Sequence, residues 1–337
     1  MIFKNAKLVL NLLTKIIWDF IFPIYRITKG KIDPYILLSA LNNKIKPLDD
    51  ELLFIPPYAG HFGDIINLLS FSKALKLEKP VKMSIIVFNE KQFELASLFK
   101  SDLKRIIKVD PGNIDYDFYP IYGLIYFIIF RPIKKGKINY INHIIPLTLS
   151  CLIGDTTYIF FKRKLNIKNS EKRFSIPIVD YETRNSVLLK LEKMGFEKGK
   201  TIVINPYSNV IKDELTDFWN SLVQELKKLK FKVITNVVGD QKPISGTVGM
   251  HTTWGEIISM AEFSGTVISI RSGFNDLLQF AQCRLVIIHP VKYLNGLPRE
   301  KSYINYSSLF TNNSNHLDLI IENEMHEVAI ERILHFV

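Results

Sequence analysis

The sequence predicts an α/β fold made of two successive units, each built on a parallel sheet, with a basic amphipathic segment in front of them. Apolar strand-like runs alternate with amphipathic helical periods from residue 51 onward, and the same alternation starts again near residue 200. The length of 337 residues is enough for two cores of ordinary size. Alternating strands and helices favour parallel sheets with right-handed crossovers.

The first unit is predicted from a β-α-β-α-β series of segments. They are, in chain order, "ELLFIPP", "GDIINLLSFSKALKL", "VKMSIIVF", "EKQFELASLFKS" and "LKRIIKVD". The second unit repeats the rhythm with "TIVINPYS", "DELTDFWNSLVQELKKLK", "FKVITNVV", "TTWGEIISMAEFS", "TVISI", "FNDLLQFAQ" and "RLVIIHP". Two such series in one chain predict two Rossmann-like domains that face each other across a cleft.

The domain boundaries follow from these series and from a polar stretch between them. We expect a basic segment over 1–45, a first domain over 46–165, a second over 166–320 and a closing helix over 321–337. The basic stretch "KRKLNIKNSEKR" is the candidate linker between the two domains.

The first 31 residues carry six cations and one acid among Leu, Ile, Phe and Trp18. The apolar runs there are too short and too interrupted by charge for a bilayer-spanning helix. Two interpretations stay open: a helix that lies in a membrane interface, or a helix that packs its apolar side on the first domain.

The formal net charge of +11 indicates an anionic partner, such as nucleic acid, an anionic membrane surface or a phosphorylated substrate. A nucleic-acid binder would need a continuous basic face with stacking aromatics, whereas this charge is scattered or gathered at the N-terminus. Cys151 and Cys283 stand in apolar surroundings without metal-ligand spacing, which indicates buried thiols in a reducing compartment.

Ligands of open parallel sheets bind beyond the carboxyl ends of the strands, so we look for chemistry where strands lead into helices. The first such junction is "PPYAGHFGDII". Gly60 and Gly63 allow an open turn, and His61 and Asp64 stand at the start of the next helix. Either side chain is a candidate base for a bound hydroxyl, although Asp64 would also suit the helix dipole.

The second junction, "INPYSNVIKDE", offers Ser208, Asn209 and Lys212 as small polar groups and a flexible cation for a diphosphate. A solvated loop is the alternative.

The third, "VVGDQKPISGTVGMHTTWGE", holds four glycines and is long enough to contact a nucleoside. Thr247 and Glu256 are the candidates there, although Thr253 and Glu256 also have the spacing of a helix capping box.

The fourth junction is "SIRSGFNDLL". Arg271 supplies a planar cation suited to phosphate oxygens, and Ser272 and Gly273 form the turn in front of a helix. The alternative for Arg271 is a salt bridge to Asp276 or to another acid. The chain lacks the Walker phosphate loop, the G-x-G-x-x-G fingerprint, the zinc helix H-E-x-x-H and the nucleophile elbow G-x-S-x-G.

Taken in order, these junctions resemble the glycosyltransferases with two Rossmann domains (GT-B type), and among them family 9, the lipopolysaccharide heptosyltransferases. The resemblance lies in "LLFIPPYAGHFGDIINLLSFSKAL", "TIVINPYSNVIKDELTDFWNSLVQEL" and "GEIISMAEFSGTVISIRSGFNDLLQFA". It covers residues 50–110 and 200–290 as an order of motifs. Family members usually carry Asp before Ser-Gly and His three residues after the Gly, where this chain has Arg271 and Asp276.

The resemblance implies sugar transfer from a nucleotide-sugar donor held by the second domain to a saccharide or lipid-linked acceptor held by the first. It makes Asp64 the general base, Lys212 the donor-phosphate lysine and Ser272-Gly273 the phosphate-side turn, with an inverting outcome. Because cations carry the diphosphate charge, we expect neither metal nor cofactor.

We therefore expect a nucleotide-sugar transferase of bacterial surface-polysaccharide assembly, covering lipopolysaccharide or capsule, that is cytoplasmic and peripheral on the inner membrane. No nucleic-acid partner is expected. The rival hypothesis is a non-catalytic, degenerate transferase fold that serves as a membrane-associated assembly partner.

Overall fold

The chain divides into two compact units, Met1–Ser175 and Ile176–Val337. The computed structural model of the protein describes residues 51–55, 62–78, 82–108, 138–140, 167, 174–208, 215–290, 315–321 and 326–337. The predicted basic segment at 1–45 and nearly all of the candidate linker lie outside these ranges. None of the helices within them is long and apolar enough to cross a bilayer.

The first unit contains a parallel sheet of four strands in the order β3-β2-β1-β4. Its described elements are β1 (Glu51–Ile55), α1 (Phe62–Ser70), α2 (Ser72–Glu78), β2 (Lys82–Val87), α3 (Glu90–Ser97), β3 (Leu103–Lys108) and β4 (Ile138–Tyr140). The five segments predicted for this unit all appear, and the parallel pairing is confirmed.

One predicted helix of this unit is two helices in the structure, α1 and α2, which meet at Phe71. The hydroxyls of Ser70 and Ser72 bond to backbone carbonyls three residues earlier, at 2.7 Å each, which is a pattern that bends helices. The hydroxyl of Ser175 then contacts the Ser72 hydroxyl at 2.7 Å and accepts from the Lys73 amide at 2.9 Å. The break is therefore fixed partly by a residue that lies about a hundred positions away.

The second unit contains a parallel sheet of six strands in the order β10-β9-β8-β5-β6-β7. Its described elements are α4 (Tyr181–Lys193), β5 (Thr201–Asn205), α5 (Thr216–Lys228), β6 (Lys232–Asn236), β7 (Val248–Met250), α6 (Trp254–Ser264), β8 (Thr266–Ile270), α7 (Gly273–Leu278), β9 (Arg284–Pro290), β10 (His316–Ile321) and α8 (His326–Phe336).

Counted from its own first strand, this sheet has the order 3-2-1-4-5-6, which is the order of the Rossmann fold. The prediction of a Rossmann-like second unit is confirmed. The sequence patterns did not reveal α4, β7 or β10. Only Val187 and Leu191 of α4 are buried, β7 has three residues, and β10 carries a His and an Asp among its apolar residues.

The core on one face of the second sheet is formed by β-branched strand residues and the apolar side of α5. Phe218 and Trp219 pack edge to face with ring centroids 5.3 Å apart, and Leu222 is fully buried beside them. The helix α8 closes the same cluster with Ala329, Ile330 and Ile333. Apolar residues recur every three or four positions in α5, which is why its sequence predicted a helix that faces a core.

Both ends of helix α6, which precedes β8, are fixed by residues close to them in sequence. The hydroxyl of Thr253 accepts from the Glu256 amide at 3.3 Å, and the Glu256 carboxylate accepts from the Thr253 amide at 2.8 Å. The capping box predicted from spacing is therefore present. The helix ends at Gly265, whose φ of 75° is a left-handed conformation that favours glycine.

Cys283, one of the two cysteines, is a buried free thiol, as predicted from its apolar surroundings. Burial raises the pKa of this thiol to about 12, and the nearby Glu262 carboxylate adds to the shift. Cys283 therefore stays protonated at neutral pH and is a packing residue. Cys151 lies outside the described residues.

We expect Leu222→Ala to lower the free energy of unfolding by about 2 to 5 kcal/mol, because it leaves a cavity in the α5 core. Leu229, at the end of the same helix, is 53% exposed, so Leu229→Ala is the matched control and should change stability by about 0.5 kcal/mol or less. Urea denaturation followed by circular dichroism measures both. Equal effects for the two variants would contradict this assignment of the core.

Candidate functional site

The candidate site lies in the second unit, where β5 and β8 pair side by side. From β5 the chain winds outward through β6 and β7, and from β8 it winds in the opposite direction through β9 and β10. The chain therefore leaves β5 and β8 in opposite directions, which makes the boundary between them the topological switch point of the sheet. In parallel α/β sheets, ligands bind at this topological switch point, beyond the carboxyl ends of the strands.

A row of polar residues crosses the sheet at this point. Asn205, the last residue of β5, is the register partner of Ser269 near the end of β8. Asn236 is the last residue of β6, and Thr252 follows β7. Asn205, Asn236 and Ser269 are no more than 5% exposed, so these polar groups are inside the protein just below the strand ends.

These four residues form one hydrogen-bonded chain, which we call the strand-end ladder. The Thr252 hydroxyl donates to the Asn236 carbonyl oxygen at 2.9 Å, and the Asn236 amide donates to the Asn205 carbonyl oxygen at 3.0 Å. The Asn205 amide donates to the Ser269 hydroxyl at 3.2 Å. Since buried polar groups must be hydrogen-bonded, the ladder satisfies its members and links the ends of four strands.

Two main-chain carbonyls fix the direction of the ladder. The Asn205 amide also donates to the carbonyl of Tyr207 at 3.4 Å, and the Ser269 hydroxyl donates to the carbonyl of Ile270 at 2.9 Å. If the Asn205 side chain were flipped, its oxygen would face the Tyr207 carbonyl without a proton between them. The ladder is uncharged and the directions of its hydrogen bonds are fixed, so it adds no charge at the switch point.

The loops after β5 and β6 are tied together above the ladder. The Tyr207 hydroxyl donates to the main-chain carbonyl of Lys242, and burial raises the pKa of Tyr207 above its ordinary value. Ser208, a predicted donor-binding residue, directly follows Tyr207 and is half-buried. This hydrogen bond connects two of the segments predicted to bind the donor, those that follow β5 and β6.

Arg271 follows β8 at the switch point, and its backbone amide donates to the Ile288 carbonyl of β9 at 2.8 Å. Its Nη1 lies 3.3 Å from Oδ2 of Asp276 and also donates to the Ser272 carbonyl. The Asp276 side chain is 2% exposed and that of Arg271 is 21% exposed. The salt bridge that the sequence left open is therefore present, and it compensates a buried carboxylate.

The turn at Ser272 and Gly273 leads into the six-residue helix α7. The backbone amide of Ser272 donates to the side-chain oxygen of Asn275 at 2.7 Å. Asn275 is fully buried. The turn is therefore held by the helix that it starts.

Two other predicted donor-side residues have local bonding partners. The Thr247 hydroxyl donates to the Ile244 carbonyl at 2.8 Å and contacts the Thr235 hydroxyl, which stabilises the turn before β7. The Glu256 carboxylate caps α6, as described above.

A second polar pair lies on the neighbouring strands of the same sheet. His289 Nε2 is 2.8 Å from Asp318 Oδ1, and His289 is 5% exposed. Asp318 is the register partner of Ile287, which pairs with Ser269. The sequence analysis missed this pair because β10 was not recognised. It missed the ladder because Asn205 and Asn236 look like ordinary strand ends.

The structure does not describe the positions of Gly60, His61, Asn209 or Lys212. Gly63 and Asp64 belong to the first turn of α1, but the side chain of Asp64 is also outside the description. Within the described part of the chain, no group of three or more His, Cys, Asp or Glu side chains is arranged to hold a metal ion.

A parallel sheet in the order 3-2-1-4-5-6 defines the class of doubly wound α/β folds. No protein-family model and no curated protein matches the chain.

Solved structures with the same fold do match. E. coli ADP-heptose LPS heptosyltransferase II aligns with a TM-score of 0.56 at 10% identity, over 85% of this chain and 98% of that one. A family 9 glycosyltransferase from Veillonella parvula aligns at 0.53 with 11% identity, over 85% and 93%. E. coli heptosyltransferase WaaC with ADP-2-deoxy-2-fluoro heptose aligns at 0.50 with 10% identity, over 85% and 99%. The predicted resemblance to family 9 is confirmed, and it establishes the fold.

We expect Asn236→Asp to lower the free energy of unfolding by about 3 kcal/mol at pH 8. The carboxylate cannot donate to Asn205, and it adds an uncompensated charge at a buried site. Chemical denaturation measures the change. The matched control is the same amide-to-acid change at the exposed Gln224 on α5, which should cost about 0.5 kcal/mol or less. If Asn236→Asp has the same free energy of unfolding as the wild type, the ladder does not stabilise the fold.

Proposed function

We propose that the protein is a glycosyltransferase that takes a sugar from a nucleotide-sugar donor. The observation that carries this proposal is the polar strand-end ladder at the switch point of a sheet in Rossmann order. Ligands of such sheets bind at that point. The fold shared with heptosyltransferase structures adds support, since E. coli heptosyltransferase WaaC has been solved with ADP and with ADP-2-deoxy-2-fluoro heptose.

The donor diphosphate is assigned to Lys212, Arg271 and the Ser272-Gly273 turn. Ser208, Asn209, Thr247 and Glu256 belong to the loops around the donor. When the sugar leaves, negative charge develops on the diphosphate, and Lys212 together with the backbone donors of the turn stabilises that charge. The proposed chemistry therefore uses the donor as a substrate and needs neither a cofactor nor a metal ion.

The acceptor hydroxyl is assigned to residues of the first unit. Asp64 accepts the proton of that hydroxyl while its oxygen attacks the anomeric carbon, and His61 is the second candidate base. Gly60 and Gly63 are assigned to the acceptor side of the site. Direct attack opposite the leaving diphosphate inverts the configuration at the anomeric carbon.

The acceptor class and the location follow from charge and from the fold. The basic first 45 residues suit an anionic membrane surface, and the proposed acceptor is a saccharide or a lipid-linked sugar of bacterial lipopolysaccharide or capsule. The proposed place is the cytoplasmic side of the inner membrane.

A thermal-shift screen against ADP, UDP, GDP, CDP and their sugar derivatives tests the donor assignment. We expect one nucleotide series to raise the melting temperature, because a ligand at a hundred times its Kd adds about 2.7 kcal/mol to stability. The matching free nucleosides are the control for the diphosphate. If no nucleotide changes the melting temperature, the proposed function is wrong.

Asp64→Asn should reduce transfer by at least about a hundredfold and leave donor affinity nearly unchanged, because the amide keeps the shape of the acid and cannot accept the proton. Transfer is measured with the donor found in the screen, and NMR of the product reports the anomeric configuration. The same acid-to-amide change at Asp102, which lies 4.0 Å from Lys76, is the control. Full transfer by Asp64→Asn would exclude Asp64 as the base.

One observation favours the rival, a non-catalytic protein of the same fold. Arg271 and Asp276 replace the Asp and His of the family pattern and pair with each other at 3.3 Å. Hydrolysis of, or transfer from, any nucleotide sugar would exclude the rival. The rival would be favoured if the protein binds other proteins but no nucleotide.

A further inference from the structure

The charge of the Arg271–Asp276 pair sets a condition on any anion that binds at the end of β8. The guanidinium contributes one positive charge, and the carboxylate 3.3 Å away contributes one negative charge. The Asp276 side chain is only 2% exposed, so solvent screens it poorly. The pair as a whole is neutral, and its negative member is fixed inside the protein.

An anion that reaches Arg271 therefore also comes close to Asp276. Both would contact one guanidinium group, which puts the carboxylate and the incoming phosphate within the few ångströms over which like charges repel strongly. Each further negative charge on the ligand is attracted by Arg271 and repelled by Asp276 at similar range. The pair consequently gives little extra affinity to a ligand that gains negative charge.

Sugar transfer produces a ligand with that gain. The bond between the anomeric carbon and the diphosphate oxygen breaks, and its electron pair stays on the diphosphate. The acceptor oxygen bonds to the carbon, and its proton goes to the base. The released nucleoside diphosphate then carries one more ionisable oxygen than the donor, and with a second pKa of about 6 that oxygen is mostly ionised at neutral pH.

We propose that Asp276 is a specificity residue that neutralises the charge of Arg271, so that this arginine does not hold the nucleoside diphosphate product more tightly than the nucleotide-sugar donor. This inference rests on the proposed function. A lone arginine at the same place would attract the more highly charged product more strongly than the donor. Asp276 removes that preference, and the product leaves more readily.

The experiment measures Kd for a nucleoside diphosphate and for the nucleotide sugar of the same base by calorimetry at pH 8. The readout is the ratio of the product Kd to the donor Kd. Asp276→Asn leaves the pair positive and should lower this ratio about tenfold. Arg271→Gln leaves it negative and should raise the ratio about tenfold. The double variant is neutral again and should return close to the wild-type ratio.

Glu192→Gln is the control for charge at a distance. Glu192 is exposed in the last turn of α4, which leads into the start of β5, so removing its charge should leave the ratio unchanged. Circular dichroism confirms that each variant is folded. If Arg271→Gln fails to fold because it leaves the buried Asp276 carboxylate unpaired, Asp276→Asn and the double variant still test the inference.

The outcomes separate the two proposals. If the wild type binds neither ligand of any base, the proposed function is wrong and the inference is overturned with it. If the wild type binds both ligands but the single variants leave the ratio unchanged, the inference is overturned and the proposed function stands. Opposite shifts in the single variants, cancelled in the double variant, support the inference.

Discussion

The pairing of β5 with β8 is the constraint on which the rest of the second unit depends. Because these two strands are neighbours while the chain winds away from them on both sides, the boundary between them is the switch point at which such sheets bind ligands. The hydrogen bond from Asn205 to Ser269 crosses this same boundary, at 3.2 Å. The switch point and the polar groups beside it therefore both follow from the order of the strands.

At the same edge of the sheet, the ladder satisfies buried uncharged groups and the Arg271–Asp276 pair compensates a buried charge. The ladder fills the space below the strand ends with amides and hydroxyls that satisfy each other, so it needs no counter-charge. Asp276 is nearly fully buried and charged, and a buried carboxylate without a partner would cost several kcal/mol. The buried Asp276 carboxylate therefore holds Arg271 in place without a bound ligand.

The features that could be predicted from the sequence are those determined by neighbouring residues. The apolar periods of β5, α5 and β8 are local, and so is the Thr253-x-x-Glu256 spacing of the capping box. The break between α1 and α2 was not predictable, since it depends on Ser175, which is distant in sequence. The ladder also escaped prediction, because a strand-terminal Asn gains meaning only when the order of the strands is known.

The fourth junction shows how structure changes the meaning of a motif. From sequence, Arg271 was either a phosphate ligand or a partner of Asp276, as if these excluded each other. The geometry makes Asp276 a partner, yet a fifth of the Arg271 side chain stays exposed at the switch point.

An enzyme loses turnover when it holds its product more tightly than its donor, because release of the product then limits the rate. A cation that is already partly neutralised by a fixed acid responds less to the charge that remains after transfer. Within the proposed function, such a pair trades ground-state affinity for turnover. Under that proposal, Arg271 and Asp276, at positions where the family that the sequence resembles usually carries Asp and His, change how the charge of the leaving diphosphate is compensated.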